Sequence, residues 1–377
     1  MNKILNILSE LIAFQSVTPK GKNALQFIAN FLKDLGFRCE IKDFGPTGEV
    51  SNLYAVFGEK KPNICFAGHV DVVPPLNEKL WKFNPYTMTI DNNYVYGRGV
   101  VDMKGGVACA LSAVEHIIKS TKQINGSISF LLTTDEEGPG TYGTVKMLEY
   151  IKDRYPPIDL CILGEPTSQK EIGDTIKIGR RGSINFDLTV NGKQGHVAYP
   201  NEAQNPAPAF ISILYELNQL VLDQGTDFFQ PSNLEITSIE SGSKVSNIIP
   251  QAASSKFNIR FNHLHTAEEL NSMINKLIAK HSDNYSLSYS CSSLPFMQEI
   301  SDELQKCLKV VQSTLNIESK FDTNGGTSDS RFIQKYTKVI ELGLKHDQAH
   351  KINEHCHVSD LQKLYDVYIM LLKGCVF

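Results

Sequence analysis

His69 and Asp71 stand one valine apart at the end of the apolar run NICFAGHVDVVP, residues 63–74. In an extended strand residues i and i+2 share a face, so an imidazole and a carboxylate are aimed the same way. Asp102 lies in GRGVVDMKGG, Glu136 and Glu137 adjoin in TTDEEG, and Glu165 sits in GEP. One histidine with several carboxylates is a nitrogen and oxygen donor set suited to zinc or its divalent neighbours. A second histidine would complete a two-metal site, with one aspartate shared. Two cations roughly 3.5–4 Å apart can clamp the attacking and leaving oxygens of a displacement. Adjacent residues cannot both point the same way, so one of the paired glutamates can hold metal while the other handles a water proton. Singly, each residue also reads as a helix cap or a solvated strand end. Their recurrence at successive junctions is what favours chemistry.

Such residues need elements that bring them together. Up to about residue 180, NICFAGHV, SISFLLTTD and DLCILGEP read as buried strands, and KGGVACALSAVEHIIKS and GTVKMLEYIKD as helices. This alternation predicts an α/β fold with a mostly parallel sheet flanked by helices. Ligands of such sheets bind outside the carboxyl ends of the strands. His69, Asp71, Glu136, Glu137 and Glu165 all follow strand ends, and Asp102 precedes a helix. From residue 182 the texture changes to strand GSINFDLTVNGKQGHVAYP, helix PAFISILYELNQLVL, strands NLEITSIESG and SSKFNIRFNHLH, helix AEELNSMINKLIAKH and strand YSLSYSCS. That order is the split βαβ, ferredoxin-like arrangement. From residue 296 a helix, the loop DTNGGTSDSRF, the strand TKVIELG and a last helix follow. The expected organisation is a catalytic domain of residues 1–181 and 296–377 with an inserted α+β domain at 182–295.

Bulk properties narrow the classes. A chain of 377 residues is long for one core, so two domains fit. A net charge of −4 with scattered Lys and Arg offers no footing for nucleic acid. No apolar run approaches a membrane span, and MNKILNILSELIAFQS lacks a signal-peptide layout. Its Ile4, Leu5, Leu8, Leu11 and Ile12 recur at helical spacing, which predicts an amphipathic first helix. The eight cysteines form no C-x-x-C pair, against a Cys-rich zinc site or a thioredoxin-type motif. Free thiols and a cytoplasmic setting are expected.

GHVDVVP, GRGVVDMKGG, TTDEEG and GEP, in that order, resemble the di-zinc peptidase family of aminoacylases, glutamate carboxypeptidases and amino-acid deacylases, over essentially the whole chain. The resemblance implies a zinc-exopeptidase-like sheet, an inserted dimerisation domain and two divalent metal ions, zinc or else cobalt. It implies His69 and Glu165 on one ion, Glu137 and a late histidine on the other, and Asp102 on both. Glu136 would be the general base, and Asp71 would hydrogen-bond the other nitrogen of His69 and fix its tautomer. The segment KHDQAHKINEHCH offers His346, His350, His355 and His357. His350 fits the family pattern of His, Lys, an aliphatic residue, Asn and Glu; His346 is its rival, and His355 and His357 are assigned to the start of the final helix.

Within that family, GRRGS, GHVAYP, GGTSDSRF and HKINE are most similar to members that act on N-succinyl-LL-2,6-diaminopimelate, a small molecule with three carboxylates. Arginine suits bidentate carboxylate recognition. Arg180 and Arg260 match family substrate positions, and Ser183, Asn247, Gly326 and Thr327 match polar contacts. His196 matches a histidine that the partner subunit supplies to the oxyanion, implying a homodimer with sites completed across subunits. Without the resemblance, His196 reads as a turn histidine and Arg260 as part of a sheet-surface pair. Ser330 stands where glycine is usual; a positive φ there would cost about 1 kcal/mol. Two rival expectations remain: another N-acyl amino-acid deacylase or metallo-carboxypeptidase on the same scaffold, and a non-catalytic binding protein. The presence of Glu136 and all five presumed ligands speaks against the second.

Overall fold

The computed structural model describes residues 1–121, 123–242 and 245–376, and the chain divides into two compact units. The first comprises Met1–Ile178, Gln298–Asp322 and Ser328–Phe377; the second comprises Gly179–Met297 and Thr323–Thr327. The borders at 178/179 and 297/298 differ from 181/182 and 295/296 because the stem of the insertion pairs with itself, Arg180 opposite Phe296 and Gly179 opposite Met297. No change in sequence texture announces that residues 323–327 go with the second unit.

Among the described residues of the first unit, eight strands form one sheet. They are β1 (Arg38–Phe44), β2 (Val50–Phe57), β3 (Asn63–His69), β4 (Ser127–Thr133), β5 (Leu160–Leu163), β6 (Thr175–Lys177), β7 (Lys320–Asp322) and β8 (Lys338–Glu341). Their order is β1-β2-β4-β3-β5-β8-β6-β7. The run β4-β3-β5-β8 and the pair β6-β7 are parallel, whereas β1-β2, β2-β4 and β8-β6 are antiparallel. Every residue of β3, β4 and β5 is buried, as a sheet covered on both faces requires. Ile64 and Phe66 pack with Leu8, Leu11, Leu111, Val114 and Leu364 on one face, while Cys65 and Ala67 pack with Met147, Leu148 and Ile333 on the other.

The flanking helices are α1 (Asn2–Ala13), α2 (Lys22–Asp34), α3 (Gly105–Ser120), α4 (Thr144–Ile151), α5 (Asp302–Leu315), α6 (Ser330–Ile333) and α7 (Val358–Val376). The apolar stripe of α1 is buried at Ile4, Ile7, Leu8, Leu11 and Ile12, each worth roughly 1.5–3 kcal/mol of transfer free energy. His355 and His357 do not start α7. They lie on the strand His355–His357, which pairs with Tyr94–Tyr96. The alternation His-Cys-His turns Cys356 inward and sets both imidazoles edge-on to Tyr94, with centroids 5.2 and 5.1 Å away.

The second unit is an antiparallel sheet of Asn233–Ser241, Ala252–Phe261, Gly182–Asn191 and Tyr285–Ser293, in that spatial order. Helices Ala207–Asn218 and Ala267–Ala279 pack on it around Ile184, Phe186, Phe210, Phe257, Ile259 and Ile274. The segment expected as one strand from residue 182 to residue 200 divides, and Gly195–His196 pairs separately with Ile248–Ile249. No helix among the described residues is long and apolar enough to cross a bilayer. The cysteines with described side chains form no disulfide with one another.

Candidate metal centre

The strands β4, β3 and β5 run side by side and parallel, so their carboxyl ends open at one edge. His69 is the last residue of β3, Glu136 and Glu137 come just after β4, and Glu165 just after β5. Asp102 precedes α3 in a turn that it breaks itself, with φ −122° and ψ 95°. His69 Nε2 is 3.1 Å from Asp102 Oδ1, 3.8 Å from Glu165 Oε1 and 4.0 Å from Glu136 Oε2. His350 Nε2 is 2.9 Å from Glu137 Oε1 and 3.2 Å from Asp102 Oδ2. Asp102 therefore turns one oxygen to each imidazole, and the two adjacent glutamates face different histidines. Donor atoms of His69, Glu136 and Glu165 lie within 4.8 Å of one another, as do those of His69, Asp102 and Glu137. Among the four late histidines, the described contacts bring His350 to this cluster.

The electrostatics are those of a crowded acidic pocket. Asp71, Asp102, Glu136, Glu137 and Glu165 surround two imidazoles, and only His350, at 51% side-chain exposure, opens widely to solvent. Burial pushes Glu136 and Glu165 well above the usual carboxylate range, and neighbouring carboxylates push them further. Burial also opposes a charge on His69, but its bond to Asp102 and the charges of Glu165, Asp71 and Glu136 raise it well above an ordinary histidine. Bonds to Asp102 and Glu137 raise His350 to about 10. Carboxylates buried together in this way carry their charge only where cations offset it. Glu165 Oε1 is buried with no hydrogen-bond partner, and the nitrogen and oxygen donor set fits zinc or a related divalent ion.

Asp71 needs a correction. His69 Nδ1 donates to the main-chain carbonyl of Asp71 at 2.9 Å, while the Asp71 carboxylate lies 3.7 Å from that nitrogen. The carboxylate instead accepts from the backbone N–H of Glu137 at 3.1 Å. Strand β3 ends at His69, and just beyond it the Asp71 carbonyl, nearer to Nδ1 than the carboxylate, takes the place expected of the side chain. Ser330 also differs. It opens α6 without a positive φ, so no strain arises. Its buried hydroxyl donates to Glu341 Oε1, as Ser328 Oγ does at 2.7 Å.

Three further residues take part to which the sequence patterns that contain them assign no role. Met103 is buried, and its terminal methyl lies where a Cβ would stand on Gly68 or Gly164, the residues just before His69 and Glu165. Glycine before two separate ligands was the available signal. Asp329, 2% exposed, adds to the charge that raises Glu136. Glu354, the end of the HKINE pattern, is buried against the Asp102 turn.

The remaining expected residues lie in or border the second unit. Arg180 is 7% exposed and donates to the carbonyl of Asn324 at 3.2 Å, beside Gly325 with its φ of 101°. Gly326 has open space around it and Thr327 is half-buried. Ser183 and Arg260 are cross-strand partners, and Arg260 Nη1 is buried without a hydrogen-bond partner. His196 is exposed, accepts from Ala198 N at 3.0 Å through Nδ1, and neighbours Asn247, whose carbonyl accepts from Val197 N.

Comparison with known proteins meets this geometry. The model of "Peptidase family M20/M25/M40" matches residues 65–374. A succinyl-diaminopimelate desuccinylase of Rickettsia bellii (strain RML369-C) is 52% identical over 370 residues, covering 97% of this chain and 95% of that protein. A tripeptidase from Staphylococcus aureus has a TM-score of 0.81 at 18% identity, over 99% of this chain and 97% of its own. A dinuclear metal-binding peptidase of the M20 family from Bacillus subtilis has a TM-score of 0.70 at 14% identity, over 98% and 97%. At these identities the solved structures speak for the fold alone. The family match runs from within β3 into α7 and takes in every residue of the acidic cluster: the chain belongs to peptidase family M20/M25/M40.

Proposed function

We propose that this chain hydrolyses the amide bond of N-succinyl-LL-2,6-diaminopimelate, releasing succinate and LL-2,6-diaminopimelate, with two divalent ions. The observation that carries the chemistry is Asp102, which faces His69 with one oxygen and His350 with the other. The choice of substrate rests on the 52% identity to the Rickettsia desuccinylase over nearly the whole chain. His69 and Glu165 would hold one ion, Glu137 and His350 the other, and Asp102 both. Zinc, or else cobalt, bound there supplies Lewis-acid activation of water and of the scissile carbonyl. Glu136 takes the proton of the attacking water and passes it to the leaving amine as the C–N bond breaks.

Substrate binding falls to the second unit and its loop. Arg180 and Arg260 pair with substrate carboxylates, while Ser183, Asn247, Gly326 and Thr327 make polar contacts. His196 of the partner subunit donates to the oxygen of the tetrahedral species. A homodimer is supported by apolar side chains left bare on the second unit: Ile211 and Tyr215 on the helix Ala207–Asn218 and Ile239 on the edge strand Asn233–Ser241. The cysteines with described side chains, which form no disulfide with one another, support a reducing, cytoplasmic setting.

The test offers metal-free and zinc-loaded protein the succinyl substrate beside N-acetyl amino acids and dipeptides. Metal-dependent release of succinate, with the highest kcat/KM in the panel, is expected. Faster turnover of an acetyl or peptidyl substrate would move the chain to another deacylase or a carboxypeptidase. Full activity after exhaustive chelation would remove the metal from the reaction.

A further inference from the structure

Glu354 is 1% exposed and its carboxylate accepts four hydrogen bonds. Oε1 accepts from the backbone N–H of Val101 at 2.8 Å and of Asp102 at 3.1 Å. Oε2 accepts from the N–H of Gly99 and from Nη1 of Arg98, both at 2.8 Å. The main-chain carbonyl of Glu354 accepts from Gly97 N at 3.1 Å, and Arg98 Nη1 also reaches the carbonyl of Lys351 at 3.3 Å. The stretches 97–102 and 351–354 are thereby laced into one body.

Neither stretch is regular enough to hold itself. Asp102 and Met103 leave helical φ and ψ, so the amides of Val101 and Asp102 find their acceptor in Glu354. His350 and Asn353 have φ of 63° and 60°, a left-handed conformation uncommon without glycine. Such backbone persists only where its surroundings over-determine it. Asn353 is tied further by accepting from Lys82 N through Oδ1.

We propose that Glu354 is a positioning residue for the reaction: it grips the backbone of Asp102 from a point four residues beyond His350, and so fixes the spacing of the shared carboxylate and the late histidine. This rests on the two-ion reading above. All four partners of the carboxylate are donors, so a glutamine would turn an N–H₂ group toward at least one of them. Aspartate is one methylene shorter and cannot grip both sides.

The experiment is a metal titration of the metal-free protein, read by cobalt(II) absorbance and equilibrium dialysis, beside kcat, KM and the unfolding midpoint. It compares the wild type, Glu354→Gln, Glu354→Asp and Leu304→Ala, the last removing a buried core side chain from α5. Both Glu354 variants should keep one ion and bind the second about 10–100-fold more weakly. Their kcat should fall by a similar factor with KM within about threefold of wild type. Leu304→Ala should lower the midpoint yet bind both ions as the wild type does. If Glu354→Gln does not fold, Glu354→Asp alone decides by the same measurements. Wild-type affinity for both ions in the folded Glu354 variants overturns the proposal. So does an equal loss of the second ion in Leu304→Ala, since instability alone would then explain it. A wild type that binds fewer than two ions overturns the two-ion reading and the coupling together; two ions there, with Glu354 variants unchanged, overturn the coupling alone.

Discussion

The two adjacent glutamates divide their work because successive side chains leave the backbone in different directions. Glu137 reaches His350, while Glu136 reaches the group of His69 and Glu165. In the proposed assignment Glu136 is left for protons, and Glu136→Gln keeps its size while removing its basicity. That variant should bind two ions and lose about 10²–10⁴-fold in kcat, checked by metal analysis beside steady-state rates. Near-normal turnover would take the base role away from Glu136. At this scale the sequence is informative about donor types, because His, Asp and Glu at strand ends name their own chemistry. It is silent about which atom of a residue acts. The bond from His69 Nδ1 to the carbonyl of Asp71 follows from the path of the chain beyond β3, which no spacing of residue types encodes.

Three parallel strands must end in register for the cluster to exist, and one side chain helps to set that register. The methyl of Met103, the residue after Asp102, fills the space that Gly68 and Gly164 leave before His69 and Glu165. Gly68→Ala should therefore lower the unfolding free energy by about 1–3 kcal/mol through overpacking. In a double-mutant cycle with Met103→Ala the two losses should be less than additive by at least about 0.5 kcal/mol, measured by urea unfolding. Strict additivity would show that the two side chains do not share this space. The buried strands β3, β4 and β5 are legible as apolar runs. The β1–β2 hairpin is not, since β1 is buried at none of its positions and carries no such run. The strand of His355 and His357 is hidden likewise, because three residues are too few to display a period.

At the scale of the whole molecule, the proposed His196 contribution makes each site a product of two subunits. Mixing inactive Glu136→Ala with inactive His196→Ala should restore activity in heterodimers that hold one intact composite site. Random exchange makes half the dimers mixed, so about a quarter of wild-type activity is expected, read from rates after subunit exchange with heterodimers verified by differential tagging. Verified heterodimers without activity would argue against completion across subunits. Strand–helix alternation and the later period-two texture were enough to announce an α/β sheet and a split βαβ insertion, because burial on two faces or on one leaves different hydrophobic periods. Residue types and order were enough to suggest a divalent-metal hydrolase. Only the tertiary structure decided that Asp102 turns an oxygen to each of two histidines 281 positions apart in numbering, His69 and His350, and that Glu354 grips the turn between them. Those contacts join segments distant along the chain, and local sequence records what a segment prefers but not which distant segment it will meet.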